Sequence, residues 1–448
     1  MNKALPLMIA GCLSAGFAGT GQCADLMAVY RDALAYDAQY ASARAALDAG
    51  REKLPQGRAG LLPTIGLAAS STWNELDTTG RGPAGRESNS QYNNNGWTVS
   101  LSQPLFRWQN WVAYTQSELA VAQAEAQFGL AKQELIVRAA QAYFDVLLAL
   151  DALATAQAQK VAIAEQLESA KRNFEVGTAT ITDTHEAQAR YDLTSAQEIA
   201  AASDLAVRRQ VLRAVIGKEP EGLKNLRPGV QLVRPQPDDI GKWVEMAESA
   251  SASVLIYQAL FEIATREIEK QRAGHYPTLD LVATRGRSST TSTLVAGVAG
   301  VGSGSDSDLS TIGVQLSIPI FAGGATASRD REAVALKEKA GAELENARRT
   351  AALNARQAYL GVTSGLAQVK AYEAALTSSQ SALDSNKLGY EVGVRINIDV
   401  LNATSQLYDT RQKLAKARLD TLAALLKLKA AAGSLNEDDV AAVNALLD

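Results

Sequence analysis

The sequence is poor in the residues that build disulfide frameworks and metal sites. Its two cysteines, Cys12 and Cys23, both lie in the first 24 residues, and it has only two histidines, His185 and His275. The body of the chain therefore has neither a disulfide framework nor a Cys-ligated zinc site. His185 follows a predicted helix start and His275 stands in a turn before Pro277, so we interpret both as surface or packing residues. We expect no cofactor and no bound metal.

Aromatic residues and net charge are also scarce. Aromatic residues make up 6% of the chain, the formal net charge is -4, and the charged fraction of 21% mixes both signs. Binding to nucleic acid requires a concentrated basic surface, so we expect no nucleic-acid partner. The sequence shows no nucleophile with a paired base and no phosphate-binding glycine loop, and we predict no enzymatic activity. Abundant alanine and leucine are instead typical of long, closely packed helices.

Long hydrophobic runs are absent after the N-terminal region. In the rest of the chain we expect no stretch of the roughly 20 apolar residues that a membrane-spanning helix needs. A basic start, an apolar stretch at 4–18 and "GTGQCAD" predict a secretory signal cleaved after Ala24. A competing interpretation takes "IAGC" at 9–12 as a lipoprotein signal with Cys12 acylated. An exported chain without a spanning helix is soluble in the periplasm, secreted, or spans the outer membrane as a barrel.

What the chain does contain is a long internal repeat. "RAGLLPTIGL" at 58–67 and "RAGHYPTLDL" at 272–281 are separated by 214 positions. Three further pairs keep offsets of 215, 216 and 216: "QPLF" and "IPIF" at 103–106 and 318–321, "QAYF" and "QAYL" at 141–144 and 357–360, and "FEVG" and "YEVG" at 174–177 and 390–393. The chain is therefore a tandem duplication of a unit slightly over 200 residues long.

The repeat divides the chain into five segments. They are a signal peptide at 1–24, a first repeat at 25–217, a linker at 218–238, a second repeat at 239–433 and a C-terminal segment at 434–448. Each repeat opens with a helical pattern, from about Leu26 to Gly57 and from about Asp239 to Ala273, and a proline then turns the chain.

After each proline the apolar spacing changes from helical to alternating. Alternation of apolar and polar residues predicts four strands, at 64–73, 96–105, 278–286 and 311–321. About ten residues with one apolar face is typical of transmembrane β-strands, although a soluble hairpin would show the same alternation. Two segments rich in Gly, Ser, Thr and Asn separate the paired strands and predict long mobile loops, at 76–95 and 289–308.

Each repeat continues with two helices. A helical pattern runs from about Gln109 to Phe174 and from about Ala325 to Tyr390, and about 66 residues form a rod on the order of 100 Å long. A break at "EVGTATIT" or "EVGVRINI" leads to a second helix, which ends near Val215 or Ala432. Its heptad-like line of Val400, Leu407, Leu414, Thr421 and Leu428 predicts close packing against an antiparallel neighbour.

Four strands are too few to close a membrane barrel, for which about eight are needed. An open sheet edge in lipid would leave backbone groups without partners. Several chains must therefore contribute strands to one barrel, and their long helices would continue below it as a shared cylinder.

With this order of elements and "GYEVGVRINIDVLNATSQLYDTRQKLAKARLD" in its second half, the chain resembles the TolC family of outer-membrane efflux and secretion channels. The resemblance implies an α+β membrane protein in which a homotrimer shares a 12-stranded β-barrel, continuous with a long periplasmic α-helical coiled-coil barrel. It also implies contact with outer-membrane lipid, a periplasmic membrane-fusion adaptor and an inner-membrane transporter of ABC, RND or MFS type. The alternative is a periplasmic coiled-coil adaptor or scaffold without a membrane barrel.

The same resemblance implies where the channel closes. Tyr390 and Arg395 match residues that tether the second-repeat helices, and Thr182 and Asp183 match their partners in the first repeat. Arginine offers a fork of donors to an acceptor, and tyrosine can donate to aspartate. Exposed pairs of this kind contribute about 1 kcal/mol or less each, so a gate held by several of them could still open.

An acidic ring in the tunnel entrance is also implied. Asp399 matches a carboxylate of this ring, but the second acidic position, one turn on, is Asn402 here, so the ring should carry half the formal charge. The residues alone have a simpler interpretation, because Asp183 followed by Glu186 is typical of a helix capping box and Asp399 also begins a helix. Capping and gate roles can coexist.

Overall fold

The structure is a computed structural model that describes residues 24–82, 87–220, 222–293 and 304–448. The predicted signal peptide, apart from Ala24, lies outside the described residues, as do Cys12 and Cys23. The described elements follow in chain order: α1 (Leu26–Tyr36), α2 (Ala38–Arg51), α3 (Lys53–Ala59), β1 (Thr64–Thr79), β2 (Glu87–Phe106), α4 (Trp108–Glu175), α5 (Ile181–Ile216), α6 (Ile240–Ala250), α7 (Ala252–Arg272), β3 (Thr278–Thr293), β4 (Ser305–Ser317), α8 (Ala325–Glu391), α9 (Asn397–Ala431) and α10 (Glu437–Asn444).

These elements form two compact units, each assembled from both repeats. The helical unit comprises the described residues of Met1–Tyr40, Lys132–Trp243 and Asn354–Asp448, and the sheet unit comprises those of Ala41–Ala131 and Val244–Leu353. Corresponding parts of the two repeats therefore pack with each other, which is the arrangement expected when neither copy can bury its apolar face alone.

The sheet unit contains one antiparallel sheet with the strand order β1-β2-β3-β4. All four predicted strands are present, but β1 extends to Thr79 and β3 to Thr293, and β2 and β4 begin at Glu87 and Ser305. The predicted mobile loops were therefore too long; within them only 83–86 and 294–303 lie outside the described residues. The physical reason is that serine, threonine and asparagine backbones pair in a ladder as well as apolar ones do.

The predicted fourth strand was too long at its C-terminal end. Residues 318–321, expected to belong to the fourth strand, follow its last residue Ser317 without a partner strand among the described residues. The equivalent residues of the first repeat, Gln103–Phe106, are paired with β3. The sequence pattern is the same in both places, and the difference lies in whether a neighbouring strand is present.

The helix predicted to open the first repeat is divided into three, α1, α2 and α3. Asp37 has extended backbone angles between α1 and α2, where its carboxylate accepts a hydrogen bond from the Tyr40 backbone N–H at 2.7 Å. The same carboxylate, which is buried, pairs with Arg138 at 2.7 Å. Because this contact satisfies a buried charge, it explains a helix break that local spacing did not indicate.

The long helices agree with the predicted bounds to within two residues. Four of the five heptad-line residues of α9 are buried, and only Leu407 is half-buried. The core of the helical unit joins α4, α5 and α9 to α1 and α10, around large buried side chains such as Tyr30, Tyr143 and Phe144. The C-terminal segment thus contributes a helix, α10, that the sequence did not predict.

Contrary to the expectation from the sequence, α4 contains an 18-residue window with a mean hydropathy of 1.3, which meets the length and composition of a membrane-spanning helix. Several large apolar residues of α4, including Leu135, Ile136 and Leu147, are fully buried in the helical unit. Packing inside the unit accounts for only part of this apolar character, because 28% of the window is buried.

Candidate gate at the helix turns

Two turns of the helical unit have the same backbone structure. In the first, the N–H groups of Val176 and Gly177 bond the carbonyls of Arg172 and Phe174, and Gly177 has a φ of 78°. The second, from Leu388 to Val394, repeats these bonds, and Gly393 also has a φ of 78°. A left-handed glycine ends each long helix and reverses the chain, because other residues adopt this conformation at a cost. The candidate gate is the set of side chains around these two turns.

Tyr390, predicted as a tether, links the two turns. Its hydroxyl accepts a hydrogen bond from the Asn173 side-chain amide at 3.1 Å, which joins the end of α8 to the end of α4. The structure thus gives Tyr390 a first-repeat partner, but this partner is Asn173 rather than Thr182 or Asp183. The neutral amide–phenol pair is expected to contribute about 1 kcal/mol.

Asp183 caps a helix, although not as the sequence suggested. Thr180 is the N-cap of α5: its hydroxyl accepts from the Asp183 N–H at 3.3 Å, while the Asp183 carboxylate accepts from the Thr180 N–H at 3.0 Å. The capping box therefore runs from Thr180 to Asp183, and the expected box from Asp183 to Glu186 was wrong. The neighbouring Thr182 is exposed, as is His185.

Asn397, which the sequence analysis missed, connects three helices. This first residue of α9 is 1% exposed; its oxygen accepts from the Gln166 amide on α4 at 2.5 Å, and its own amide donates to the Asp183 carbonyl on α5 at 3.2 Å. Both ends of a buried amide are therefore satisfied, which makes it a specific contact rather than a destabilising one. The available signal was a polar residue between Ile396 and Ile398 at a hinge.

The remaining predicted residues lie on α9 and just before it. Arg395 forms an ion pair with Asp399 at 3.6 Å. The arginine side chain is exposed and the aspartate side chain is half-exposed, and both lie at the start of α9. Asn402 accepts a hydrogen bond from Arg190 of α5 at 2.9 Å. Asp399 also lies in the first turn of α9, where a carboxylate interacts favourably with the helix N-terminus.

Polar groups line the space between the turns. A cavity of about 950 Å³ is bordered by Gln166, Asn173, Asp183, Tyr390 and Arg395, among others. Among the described residues, no group of three histidine, cysteine, aspartate or glutamate side chains could hold a metal ion. The arrangement provides hydrogen bonds that can break and re-form between helices, which is suited to a conformational change.

One charged pair lies further along the same helices. Lys160 of α4 donates to Glu198 of α5 at 2.8 Å and lies 5.7 Å from the centre of the Tyr191 ring. The hydrogen bond from Lys160 lowers the pKa of the Glu198 carboxyl. This pair ties α4 to α5 within one repeat, whereas Tyr390 and Asn397 tie one repeat to the other.

The fold and the paired turns define the class of protein: a duplicated outer-membrane channel protein. Residues 29–218 and 243–434 match the outer membrane efflux protein family, so each repeat is matched separately. The chain is 34% identical to outer membrane protein TolC of Escherichia coli K12, covering 99% of this chain and 89% of that protein. It is 32% identical to the alkaline protease secretion protein AprF of Pseudomonas aeruginosa, covering 93% and 86%.

Solved structures of channels share the fold. The Campylobacter jejuni CmeC outer membrane channel superposes with a TM-score of 0.76 at 17% identity, covering 100% of this chain and 98% of that one. The outer membrane protein VceC of Vibrio cholerae gives 0.75 at 20% identity, covering 91% and 96%. The chain belongs to the outer membrane efflux protein family. It is an outer-membrane efflux protein with a large periplasmic portion, and it acts as an exit duct.

Proposed function

We propose that three copies of this chain assemble into one channel whose twelve strands close a barrel in the outer membrane. The observation that carries this proposal is the open sheet: β1 and β4 are its two edge strands. Exposed apolar residues occupy one face of both edges, among them Ile65 and Leu67 on β1 and Ile312 and Val314 on β4. An open edge cannot persist in lipid, because every unpaired backbone group there costs several kcal/mol.

In a closed barrel, each face of the sheet meets the environment that suits its side chains. The apolar side chains then face lipid, and the alternate serine, threonine and asparagine residues face a water-filled lumen. In the same assembly the long helices of three copies line one periplasmic tunnel. A coiled-coil adaptor or scaffold, the alternative that the sequence left open, has no use for amphipathic strands of 13 to 20 residues.

The candidate gate closes this tunnel at its periplasmic end. The Asn173–Tyr390 bond and the Asn397 bonds hold the turns of the two repeats together within each copy. Arg395 and Thr182 are exposed and able to meet groups outside the described contacts, while Asp399 and Asn402 contribute the entrance ring with one carboxylate per copy. Because each bond is weak, engagement of partner proteins can open the gate.

The partners we propose are a periplasmic adaptor and an inner-membrane transporter of ABC, RND or MFS type. Two relatives carry protease secretion in their names, the proteases secretion protein PrtF of Dickeya chrysanthemi and AprF of Pseudomonas aeruginosa. These names favour a channel that passes proteins, and the match to the outer membrane efflux protein family favours efflux, which we propose to include drugs. The chain itself selects little, since transporter and adaptor would choose the cargo.

Extraction from membranes tests this assembly directly. We expect the chain to leave outer membranes only with detergent and to migrate as a trimer that resists heating in mild denaturant. A protein released without detergent as a monomer would contradict the channel and favour the scaffold alternative. Export of a drug or a secreted protease in a strain without its own channel protein measures function, and capture of the transporter by the tagged channel identifies the partner.

A further inference from the structure

The apolar face of the sheet, which carries Ile312 and Val314, also carries two arginines. Side chains alternate between the two faces of a strand. Because Ala283 of β3 is paired with Ile312, the alternate positions that follow it, Arg285 and Arg287, share this face. Both arginine side chains are exposed. On the lipid face of a barrel an arginine costs about 2–4 kcal/mol at the middle of the bilayer and about 0–1 kcal/mol near its surface, so these two belong at a membrane surface.

A tryptophan lies beside the arginines on the neighbouring strand. Trp97 of β2 is paired with Arg287, and Val99 is paired with Arg285. Aromatic side chains form girdles at the two interfaces that flank the apolar band of a membrane barrel. Beyond Trp97 the same face becomes polar at Asn95, so the apolar band ends at the two arginines. In the proposed channel β3 leads outward from the periplasmic helix α7, which places this end of the band in the outer leaflet.

The two arginines differ in their neighbours on β4. Arg287 donates a hydrogen bond to Asp306 at 2.9 Å, and Asp308 is the residue paired with it across the strands. Arg285 is paired with Ser310 and, among the described residues, has no acidic partner. A guanidinium group has five N–H donors, so most donors of Arg287 remain free as well. An ion pair across the strands therefore accounts for Arg287 but gives Arg285 no structural role.

The first repeat shows that a strand of this sheet does not need the two arginines. The repeat offset of 214 places Ser71 and Trp73 of β1 at the positions of Arg285 and Arg287. Both β1 and β3 have 16 residues, and each pairs with the strand that follows it. The arginines are therefore a feature of the second repeat alone, present once in each copy of the chain.

A cavity of about 550 Å³ lies beside Arg287 and Trp97 on this part of the sheet. Its border includes Ser71, Asn95 and Ser289, and none of the described residues that line it is acidic. One space is thus bordered by a cation, an aromatic ring and neutral groups that can form hydrogen bonds. This combination suits a ligand that joins an anion to an apolar body.

We infer that Arg285 and Arg287 bind the phosphate group of a lipid in the outer leaflet. This inference rests on the barrel proposed above and names a ligand of its outer surface. Arginine donates two parallel hydrogen bonds to phosphate oxygens, and such charge-assisted bonds are stronger than neutral ones. The acyl chains of the lipid then lie along apolar side chains on the periplasmic side of the arginines, such as Ala283. A free phosphate ion would gain nothing from these apolar neighbours, so charge and position together favour a lipid.

Titration of the purified trimer with defined lipids tests this site. The full mature chain is used in detergent, and native mass spectrometry counts the lipid molecules bound to each trimer. The probe is lipid A with two phosphate groups, and the neutral comparison is the same lipid A with both phosphate groups removed. We expect one tightly bound molecule per copy, with a Kd at least about tenfold lower for the phosphorylated form. Inorganic phosphate, at the same concentration as the lipid, should not displace it.

A double substitution with a matched control locates the binding. The test variant combines Arg285→Gln with Arg287→Gln. The control combines Arg348→Gln with Arg349→Gln, which also removes one exposed arginine without an acidic partner among the described residues and one in an exposed ion pair, that of Arg349 with Glu345. These two lie about 35 Å along α8 from its start. The Kd for phosphorylated lipid A should rise at least about tenfold in the test variant and less than about twofold in the control.

The results separate the inference from the proposal beneath it. A verified trimer of the test variant that binds phosphorylated lipid A as tightly as the unchanged trimer overturns the role of the arginines, and an equal loss in the control shows that charge alone attracts the lipid. Equal binding of both forms of lipid A to the unchanged trimer overturns recognition of phosphate without the use of any variant. Displacement by inorganic phosphate identifies free phosphate as the ligand instead of a lipid. In each of these cases the trimer stands, whereas an unchanged chain that forms no trimer removes the proposed function and the lipid site together.

Discussion

Replacing Asn397 with alanine should loosen the candidate gate while leaving its helices folded. The side chain is 1% exposed and makes two hydrogen bonds, one accepted from Gln166 and one donated to the Asp183 carbonyl. Each neutral bond contributes about 0.5–1.5 kcal/mol, so the loss is about 1–3 kcal/mol per copy. Such a free energy shifts an equilibrium between closed and open states by about 5- to 150-fold.

Single-channel recording in planar bilayers measures this shift, and thermal unfolding in detergent measures stability in parallel. We expect a higher mean conductance or a longer open time for Asn397→Ala. The matched control is Asn386→Ala, which removes an amide that donates to the Ala382 carbonyl of its own helix. This control should leave conductance unchanged, because no contact between helices is lost there.

The reasoning is refuted by one specific combination. If conductance of Asn397→Ala equals that of the unchanged channel while its unfolding temperature falls, the two bonds stabilise the fold and do not hold the gate. A rise in conductance for Asn386→Ala of the same size would also refute it, because the effect would then not depend on contacts between helices.

Three further predictions concern charged and aromatic contacts. Tyr390→Phe combined with Arg395→Glu should raise single-channel conductance, since it removes the bond from Asn173 and reverses a charge near the turn; equal conductance would contradict the tether. Asp399→Ala should weaken cation selectivity, measured as the reversal potential in a salt gradient, and an unchanged potential would count against the entrance ring. Asp280→Asn should cost about 1.5–3 kcal/mol in thermal unfolding, because it removes the charge from the bidentate bond of Arg107.

The elements with strong periodicity could be predicted from the sequence, and those defined by distant contacts could not. The 68 residues of α4 and the 67 of α8 were evident from helical spacing, and the duplication indicated that both repeats would share one order of elements. The ends of the strands were missed because serine and asparagine pair through their backbones, which leaves no apolar pattern. The break at Asp37 depends on Arg138, about a hundred residues away.

In the candidate site, too, features that depend on nearby residues could be predicted and those that depend on distant contacts could not. The capping character of Asp183 could be predicted because it depends on residues three positions apart, although the box proved to start at Thr180. The tie through Asn397 depends on Gln166, 231 positions earlier in the chain. The two isoleucines beside Asn397 are the one local sign that it is buried, and its partners are set only by the packing of three helices.

The strands of the two repeats pair in the same register, because the repeat offsets of 214 and 215 relate the pair Thr64↔Ser102 to the pair Thr278↔Ser317. This shared register has a consequence for the assembly of the proposed channel. A ring of six identical half-length chains would contain six equal seams and would lose the rotational and translational freedom of six separate bodies. Joining the halves in pairs leaves three bodies, so assembly loses less of this freedom. It also makes the seams unequal: those within a chain can carry a strong contact such as Arg107 with Asp280, while those between chains remain free to differ. In the proposed trimer, duplication thus gives the ring two kinds of junction instead of one, and each kind is open to separate selection.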